Sequence, residues 1–219
     1  MARNKSQIIA ALLDPGVIAV VRARSAEQVV PLTEALLAGG VTAVEITMTT
    51  PQALRAIAMA KARFGETALL GVGTVLDEAT CRAAVEAGAE FVVTPIMRPA
   101  IAAAARALDR PVMLGAYTPT EAQLAHEAGA DFIKIFPADG LGAGFIKALR
   151  APLPHLRLVP TGGVDLGTIA GFFKAGCPAV GAGSSLLSAR ILDTSDWAEL
   201  TRVARQFAEA ARAAKTAQK

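Results

Sequence analysis

Two kinds of segment alternate regularly along this chain and limit the folds that it can adopt. Short runs of apolar and β-branched residues recur between longer, alanine-rich stretches with amphipathic spacing. That alternation is typical of parallel strands joined by crossover helices. Strands are predicted at 17–22, 43–47, 68–73, 91–95, 111–116, 132–136, 156–161 and 178–181. Helices are predicted between them, for example at 26–37, 80–86, 120–128 and 166–174.

An Ala-Gly pair recurs at the end of a predicted helix, just before every second strand. The four pairs are Ala38-Gly39, Ala87-Gly88, Ala128-Gly129 and Ala175-Gly176. Their spacing corresponds to two strand–helix units, which indicates a fourfold internal repeat. We expect each glycine to take the left-handed conformation that ends the preceding helix. Eight regular units favour a closed (β/α)8 barrel of the TIM-barrel class over an open doubly wound sheet.

Two further helices are predicted outside the eight units. The first spans 6–13 and is placed to cover the N-terminal mouth of the barrel. The second carries Leu200, Val203, Ala204 and Phe207 at helical spacing, so it is predicted to pack on the barrel as a terminal helix. No linker-like segment divides the chain, and residues 1–219 are therefore expected to form one domain.

Composition excludes several classes of function. The chain is 53% apolar with a net charge of +3, and its few aromatic residues do not interleave with basic ones, which argues against a nucleic-acid surface. No apolar run reaches the roughly 18 residues of a membrane span, and no signal-peptide pattern opens the chain. Cys81 and Cys177 form no motif, so a reduced, cytoplasmic protein is expected. His126 and His155 are too far apart to suggest a metal site, and none is expected.

Lys134 is the most unusual residue of the predicted strands. It interrupts the strand at 132–136, which is otherwise the most apolar in the chain. Burial disfavours the charged ammonium and leaves a neutral amine that can attack a ketone. The alternative is a structural lysine at a strand end that pairs with a carboxylate.

Glu45 is a single carboxylate within the apolar strand at 43–47. When the repeats are superposed on Gly40 and Gly129, Glu45 and Lys134 both fall five residues later, so both are predicted to face the barrel interior at equal depth. A Schiff-base aldolase requires an amine with a proton carrier beside it. A structural ion pair between the two would leave the same pattern.

The last two strands end in glycine-rich segments. Thr161-Gly162-Gly163 follows strand seven and Gly183-Ser184 follows strand eight, and each opens onto a predicted helix. Backbone N–H groups at such ends converge on a dianion, and barrels of this class frequently bind phosphate after strands seven and eight. The pattern therefore predicts a phosphate site.

Taken together, these motifs resemble the 2-keto-3-deoxy-6-phosphogluconate (KDPG) aldolase family and its relatives that act on the 6-phosphogalactonate epimer (KDPGal) and on 4-hydroxy-2-oxoglutarate (KHG). The resemblance runs from about residue 17 to residue 187. The motifs that carry it lie at 39–40 with 44–47, 71–75, 94–95, 134–138, 160–164 and 183–184.

The resemblance implies a role for each matching position. Lys134 forms an imine with C2 of the substrate, Glu45 is the general acid and base acting through water, and Arg22 and Thr74 hold the pyruvyl carboxylate. Cleavage between C3 and C4 yields glyceraldehyde 3-phosphate and pyruvate, without metal or organic cofactor, in a homotrimer. The substrate-binding set is completed by Pro95, Phe136, Thr161, Gly162, Gly163, Gly183 and Ser184.

One position departs from the family pattern. Many KDPG aldolases have an arginine in the loop after the second strand, where this chain has Thr49. Thr161 matches the KDPG-cleaving members and indicates a preference for KDPG, with KDPGal or KHG as alternative substrates. Two other classes stay open: a metal-free phosphosugar isomerase or epimerase with Glu45 as base, and a non-catalytic barrel that binds a phosphorylated metabolite.

Overall fold

The architecture was obtained as a computed structural model, which describes residues 3–217. Eight parallel strands form one sheet in the order β7-β6-β5-β4-β3-β2-β1-β8. A parallel bridge between Thr161 and Gly181 joins the two outer strands and brings the sheet to closure. The strands are β1 (Val17–Val21), β2 (Ala43–Thr47), β3 (Leu69–Gly73), β4 (Phe91–Val93), β5 (Val112–Ala116), β6 (Phe132–Ile135), β7 (Leu158–Pro160) and β8 (Val180–Ala182). The predicted (β/α)8 class is confirmed.

Helices alternate with the strands and surround them. In chain order they are α1 (Lys5–Leu12), α2 (Val29–Ala38), α3 (Ala53–Phe64), α4 (Glu78–Glu86), α5 (Pro99–Ala107), α6 (Pro119–Glu127), α7 (Gly142–Arg150), α8 (Ile169–Lys174), α9 (Ala189–Thr194) and α10 (Trp197–Thr216). The terminal helix α10 packs against α2 and α8. No helix within residues 3–217 has the length and apolar character needed to cross a membrane.

Two predicted helices begin later than expected. Helix α2 starts at Val29 rather than at 26, because 26–28 form a turn. Helix α8 starts at Ile169 rather than at 166, because the Asp165 side chain accepts hydrogen bonds from the amides of Gly167 and Thr168 and holds 165–168 in a tight turn. The short helix α9 was not predicted; Ser188 caps it by accepting from the amide of Ile191.

The glycine expectation holds for three of the four repeats. Gly88, Gly129 and Gly176 have positive φ, as predicted. In the first repeat the prediction was wrong, because Gly39 is right-handed with φ −86° and Gly40 takes φ +84°. Gly39 has a different role: a Cβ there would collide with Ala204 of α10, so the glycine allows α2 and α10 to pack closely.

The barrel interior is filled at its N-terminal end. Side chains that alternate along the strands point inward and form an apolar cluster with Ile8 and Leu12 of α1. The strand residues of this cluster are Ile18, Ala43, Leu69, Phe91, Val93, Met113, Phe132, Val159 and Ala179. Helix α1 therefore plugs this mouth of the barrel, as predicted, and the site must lie at the opposite end.

Candidate active site

Lys134 and Glu45 meet inside the barrel, above the apolar cluster. The Nζ atom of Lys134 lies 3.4 Å from Oε1 of Glu45. Their side chains are only 5% and 3% exposed, so both are largely removed from bulk solvent. The superposition of the repeats therefore predicted correctly that both residues face the barrel interior. A buried amine beside a buried carboxylate provides a nucleophile and, next to it, a group that can carry its protons.

Three glycines stand where a side chain would collide with residues of the predicted site. A Cβ on Gly73 of β3 would overlap the carboxylate of Glu45. A Cβ on Gly115 of β5 would overlap the carbonyl of Pro95, and one on Gly181 of β8 would overlap the hydroxyl of Thr161. At this level of the barrel, missing side chains create the space that large apolar residues fill further down.

A cavity of about 540 Å³ opens at the C-terminal ends of β1, β6, β7 and β8. Phe136 joins it to the buried pair, because the ring lines the cavity and its centroid lies 5.2 Å from Nζ of Lys134. The predicted site residues that line the cavity are Arg22, Phe136, Thr161, Gly162, Gly163, Gly183 and Ser184. Such a volume suits a small-molecule ligand.

The glycine-rich ends of β7 and β8 form one wall of the cavity. Gly162 and Gly163 both have positive φ. Within residues 3–217 the amides of Gly162, Gly163 and Ser184 have no hydrogen-bond acceptor, so these donors remain available to an anion. The Ser185 hydroxyl donates to the carbonyl of Val164 and ties the two segments together.

Arg22 follows β1 and reaches the same cavity. Its side chain is exposed, and within the described part of the chain its guanidinium has neither an ion pair nor a hydrogen bond. An unpaired guanidinium at a cavity wall is suited to bidentate binding of a carboxylate or phosphate.

Four predicted site residues lie outside the cavity wall: the buried pair Lys134 and Glu45, and Thr74 and Pro95. Thr74 and Pro95 follow β3 and β4 on the same end of the barrel and are half-buried, but the cavity is lined by other strands. Thr74 has φ +59°, a left-handed conformation that is unfavourable for a β-branched residue and that tends to occur at functional sites. Thr49 is exposed, and its hydroxyl lies 2.7 Å from the hydroxyl of Thr47.

Sequence reasoning missed several residues that line the cavity. They are Val20, Pro137, Asp139, Val164, Asp165 and Ser185. Asp139 directly follows the 134–138 motif, and its backbone packs so closely that a Cβ on Gly163 would approach its Cα to 2.8 Å. Proximity to the motif was the available signal. Hydrogen bonds from the Thr168 amide and hydroxyl and from the Gly167 amide lower the pKa of Asp165, so its charge is satisfied within its own turn.

His126 and His155 were expected to lie far apart, but their rings are in edge contact with the centroids 4.8 Å apart. Among residues 3–217, no group of three or more His, Cys, Asp or Glu side chains lies close enough together to hold a metal ion.

Comparison with known proteins agrees with this geometry. The family model for KDPG and KHG aldolase matches residues 8–203. A 2-dehydro-3-deoxy-phosphogluconate aldolase of Pseudomonas aeruginosa is 36% identical, over 83% of this chain and 82% of that protein. A 2-dehydro-3-deoxy-6-phosphogalactonate aldolase of Escherichia coli is 35% identical, over 78% of this chain and 84% of that protein.

A solved structure shows a covalent intermediate on the same fold. The KDPG aldolase of Legionella pneumophila, with pyruvate captured at low pH as a carbinolamine, superposes with a TM-score of 0.80 at 26% identity. The match covers 95% of this chain and 98% of that one. The barrel, the buried pair and the extent of the family match lead to one conclusion: this chain belongs to the KDPG and KHG aldolase family.

Proposed function

We propose that this chain is a class I aldolase, a lyase that reversibly cleaves KDPG to pyruvate and glyceraldehyde 3-phosphate through an imine on Lys134. The observation that carries the proposal is the buried Lys134–Glu45 pair, 3.4 Å apart, next to a cavity with free amide donors. The covalent carbinolamine in the Legionella relative supports the same chemistry.

The first half of the reaction builds the imine. The lone pair of Lys134 Nζ attacks the C2 ketone, and the resulting carbinolamine loses its hydroxyl as water to give an iminium ion. Glu45 is the carboxylate next to this nitrogen and carries the protons of both steps, directly or through one water.

The second half breaks the C3–C4 bond. The C4 hydroxyl gives up its proton, the C4 aldehyde forms, and the bonding electrons move through C3 into the iminium to leave an enamine. Protonation at C3 and hydrolysis then release pyruvate and regenerate the amine of Lys134. Glu45 is the proposed proton carrier for these steps as well.

The other predicted residues bind the two charged ends of the substrate. We assign the carboxylate to Arg22 with Thr74, and the phosphate to Gly162, Gly163 and Ser184, whose amides have no acceptor within residues 3–217. Pro95, Phe136 and Gly183 are proposed to complete the site; Phe136 and Gly183 line the cavity, and Pro95 lies at the same end of the barrel outside its wall. Thr161, at the top of β7, is proposed to favour KDPG over KDPGal, which is the runner-up because a KDPGal aldolase is 35% identical.

The family resemblance also supports a homotrimer, and we propose one. Sedimentation equilibrium should give three times the 22.5 kDa chain mass; a monomer would contradict it. A cytoplasmic location is proposed from the two cysteines, which form no motif and are both free and buried.

Trapping of the imine tests the proposed function. Incubation with pyruvate and borohydride should add a reduced pyruvyl group to Lys134, identified by peptide mass mapping. Lys134→Arg should form no adduct and have no activity, because a guanidinium stays protonated. Lys147→Arg, at an exposed lysine on α7, is the matched control and should behave like the parent. An adduct on another lysine would refute the assignment. The absence of any adduct would favour an isomerase, an epimerase or a non-catalytic barrel.

A further inference from the structure

The backbone on both sides of Arg22 is held by threonine hydroxyls from the end of β2. The regular pairing of β1 with β2 ends at Val21 opposite Ile46, one residue before Arg22. Beyond that point, the Thr47 hydroxyl donates to the carbonyl of Val21 at 3.0 Å, and the Thr50 hydroxyl accepts from the amide of Ala23 at 3.2 Å. The two side chains therefore continue the β1–β2 ladder past its end.

Both threonines are built into the protein interior. Thr47 is fully buried and Thr50 is 2% exposed, and the amide of Thr50 donates to the carbonyl of Thr47 across a tight turn. The Thr47 hydroxyl uses its hydrogen to donate to Val21. The Thr49 hydroxyl, 2.7 Å away, must therefore donate to the Thr47 oxygen. The resulting network leaves little freedom to the backbone that it holds.

Arg22 has no comparable restraint of its own. Its guanidinium is exposed in the cavity, and within residues 3–217 it has no partner. A long side chain loses considerable rotamer entropy when it binds a ligand. A fixed backbone reduces this loss, because it keeps the guanidinium directed at the carboxylate. The bonds to Val21 and Ala23 supply that restraint on both sides.

We propose that Thr47 and Thr50 are positioning residues that act through Arg22 and set the affinity of the site for the carboxylate of the keto acid. The proposal rests on the proposed function, because it takes Arg22 as the carboxylate ligand. Neither threonine needs to touch the substrate. A purely structural role would instead lower stability without a selective effect on carboxylate binding.

The test compares isosteric variants of the 219-residue chain. Thr47→Val and Thr50→Val remove one hydroxyl each, and the matched control is Thr33→Val, since Thr33 is also fully buried but its hydroxyl has no partner among the described residues. The pyruvate concentration that half-saturates borohydride trapping of Lys134 should rise about tenfold in each test variant, the size expected for one lost buried hydrogen bond. It should be unchanged in Thr33→Val, and inhibition by inorganic phosphate should be unaltered in all three.

A double-mutant cycle separates the mechanism from general damage. In an Arg22→Ala background, Thr47→Val should raise the half-saturating pyruvate concentration less than about twofold, because the residue through which it acts is gone. Thr47→Ser keeps the hydroxyl and should bind pyruvate like the parent. If Thr47→Val fails to fold, Thr47→Ser and Thr50→Val together still test the proposal.

Equal effects of Thr47→Val with and without Arg22, or failure of Thr47→Ser to restore binding, would overturn the inference. So would an Arg22→Ala variant that binds pyruvate like the parent. In each of these cases trapping on Lys134 persists and the aldolase assignment stands. Failure of the parent itself to trap pyruvate would refute the proposed function instead.

Discussion

The two ends of the barrel interior differ in the residues that fill them. At the N-terminal end, Phe91, Met113 and Phe132 pack with Ile8 and Leu12 of α1 and leave this end occupied by apolar atoms. At the C-terminal end, small or polar residues take the inward positions: Gly73, Gly115 and Gly181 on three strands, and Glu45 and Lys134 on two others.

The rims of the two ends differ in the same sense. The N-terminal rim is closed by ion pairs between Arg3 and Glu90 at 2.9 Å and between Lys5 and Asp131 at 2.8 Å. At the C-terminal rim, Arg22 has no partner within residues 3–217. The N-terminal end is filled with apolar atoms and carries these ion pairs, which stabilise the fold. The C-terminal end keeps donors and volume free for a ligand.

The largest expected effect is on catalysis, at the C-terminal end. Glu45→Gln should slow turnover by roughly 10²- to 10⁴-fold while the protein stays folded, because the shape is nearly kept and the proton carrier is lost. Steady-state kinetics and a thermal melt measure the two quantities. If the variant unfolds but its folded fraction keeps parental activity, Glu45 is a structural ion-pair partner and the contrast between the ends fails.

The converse variant lies at the N-terminal end. Leu12→Ala should reduce the free energy of unfolding by about 2 to 5 kcal/mol, the range for a large buried side chain that leaves a cavity. Leu12 is 1% exposed and lies at the opposite end of the barrel from the cavity, so kcat/KM of the folded protein should not change. Denaturant titration combined with kinetics tests this, and a large fall in kcat/KM would show that the two ends are coupled.

Thr161→Val tests which residue of the C-terminal end selects between the two epimeric substrates. Thr161 is 6% exposed and lines the cavity, and a hydroxyl placed there discriminates between epimers by hydrogen bonding. The parent should prefer KDPG to KDPGal, and the ratio of the two kcat/KM values should fall by about tenfold in the variant. Equal values in the parent, or an unchanged ratio, would exclude Thr161 as the residue that sets the preference.

The smallest expected effect concerns the exposed start of α6. Hydrogen bonds from the Tyr117 amide, the Thr118 hydroxyl and the Thr118 amide lower the pKa of Glu121. The stabilisation that the ionised Glu121 carboxylate contributes is therefore complete above the unfolded-state pKa and is lost as pH falls through the folded-state pKa.

Melting temperatures at pH 7 and pH 4 test this prediction. Glu121→Gln should lose slightly less stability on acidification than the parent, within about 1 kcal/mol because the site is exposed to solvent. Glu86→Gln, at an exposed carboxylate of α4, is the control and should follow the parent. A larger loss in Glu121→Gln than in the parent would contradict the sign of the pKa shift.

The barrel and the two residues at its centre could be predicted from the sequence alone. Alternation of apolar runs with alanine-rich helices is a local property, and the strand period of two residues is enough to place Glu45 and Lys134 on one face. The glycine-rich ends at Thr161 and Gly183 could be recognised because they follow strands seven and eight, where barrels of this class frequently bind phosphate.

Tertiary structure decided what depends on contacts between distant segments. Gly39 was expected to end α2 in a left-handed conformation, but α10 approaches it from 165 residues away along the chain, at Ala204, and Gly40 takes that conformation instead. The 3.4 Å separation of Lys134 and Glu45, the placement of Asp139 against Gly163, and the threonine hydroxyls on either side of Arg22 likewise arise only when the strands close into a barrel. The local sequence pattern predicts to which side of the sheet a side chain points, whereas the distance to its partner depends on how the whole sheet twists and closes.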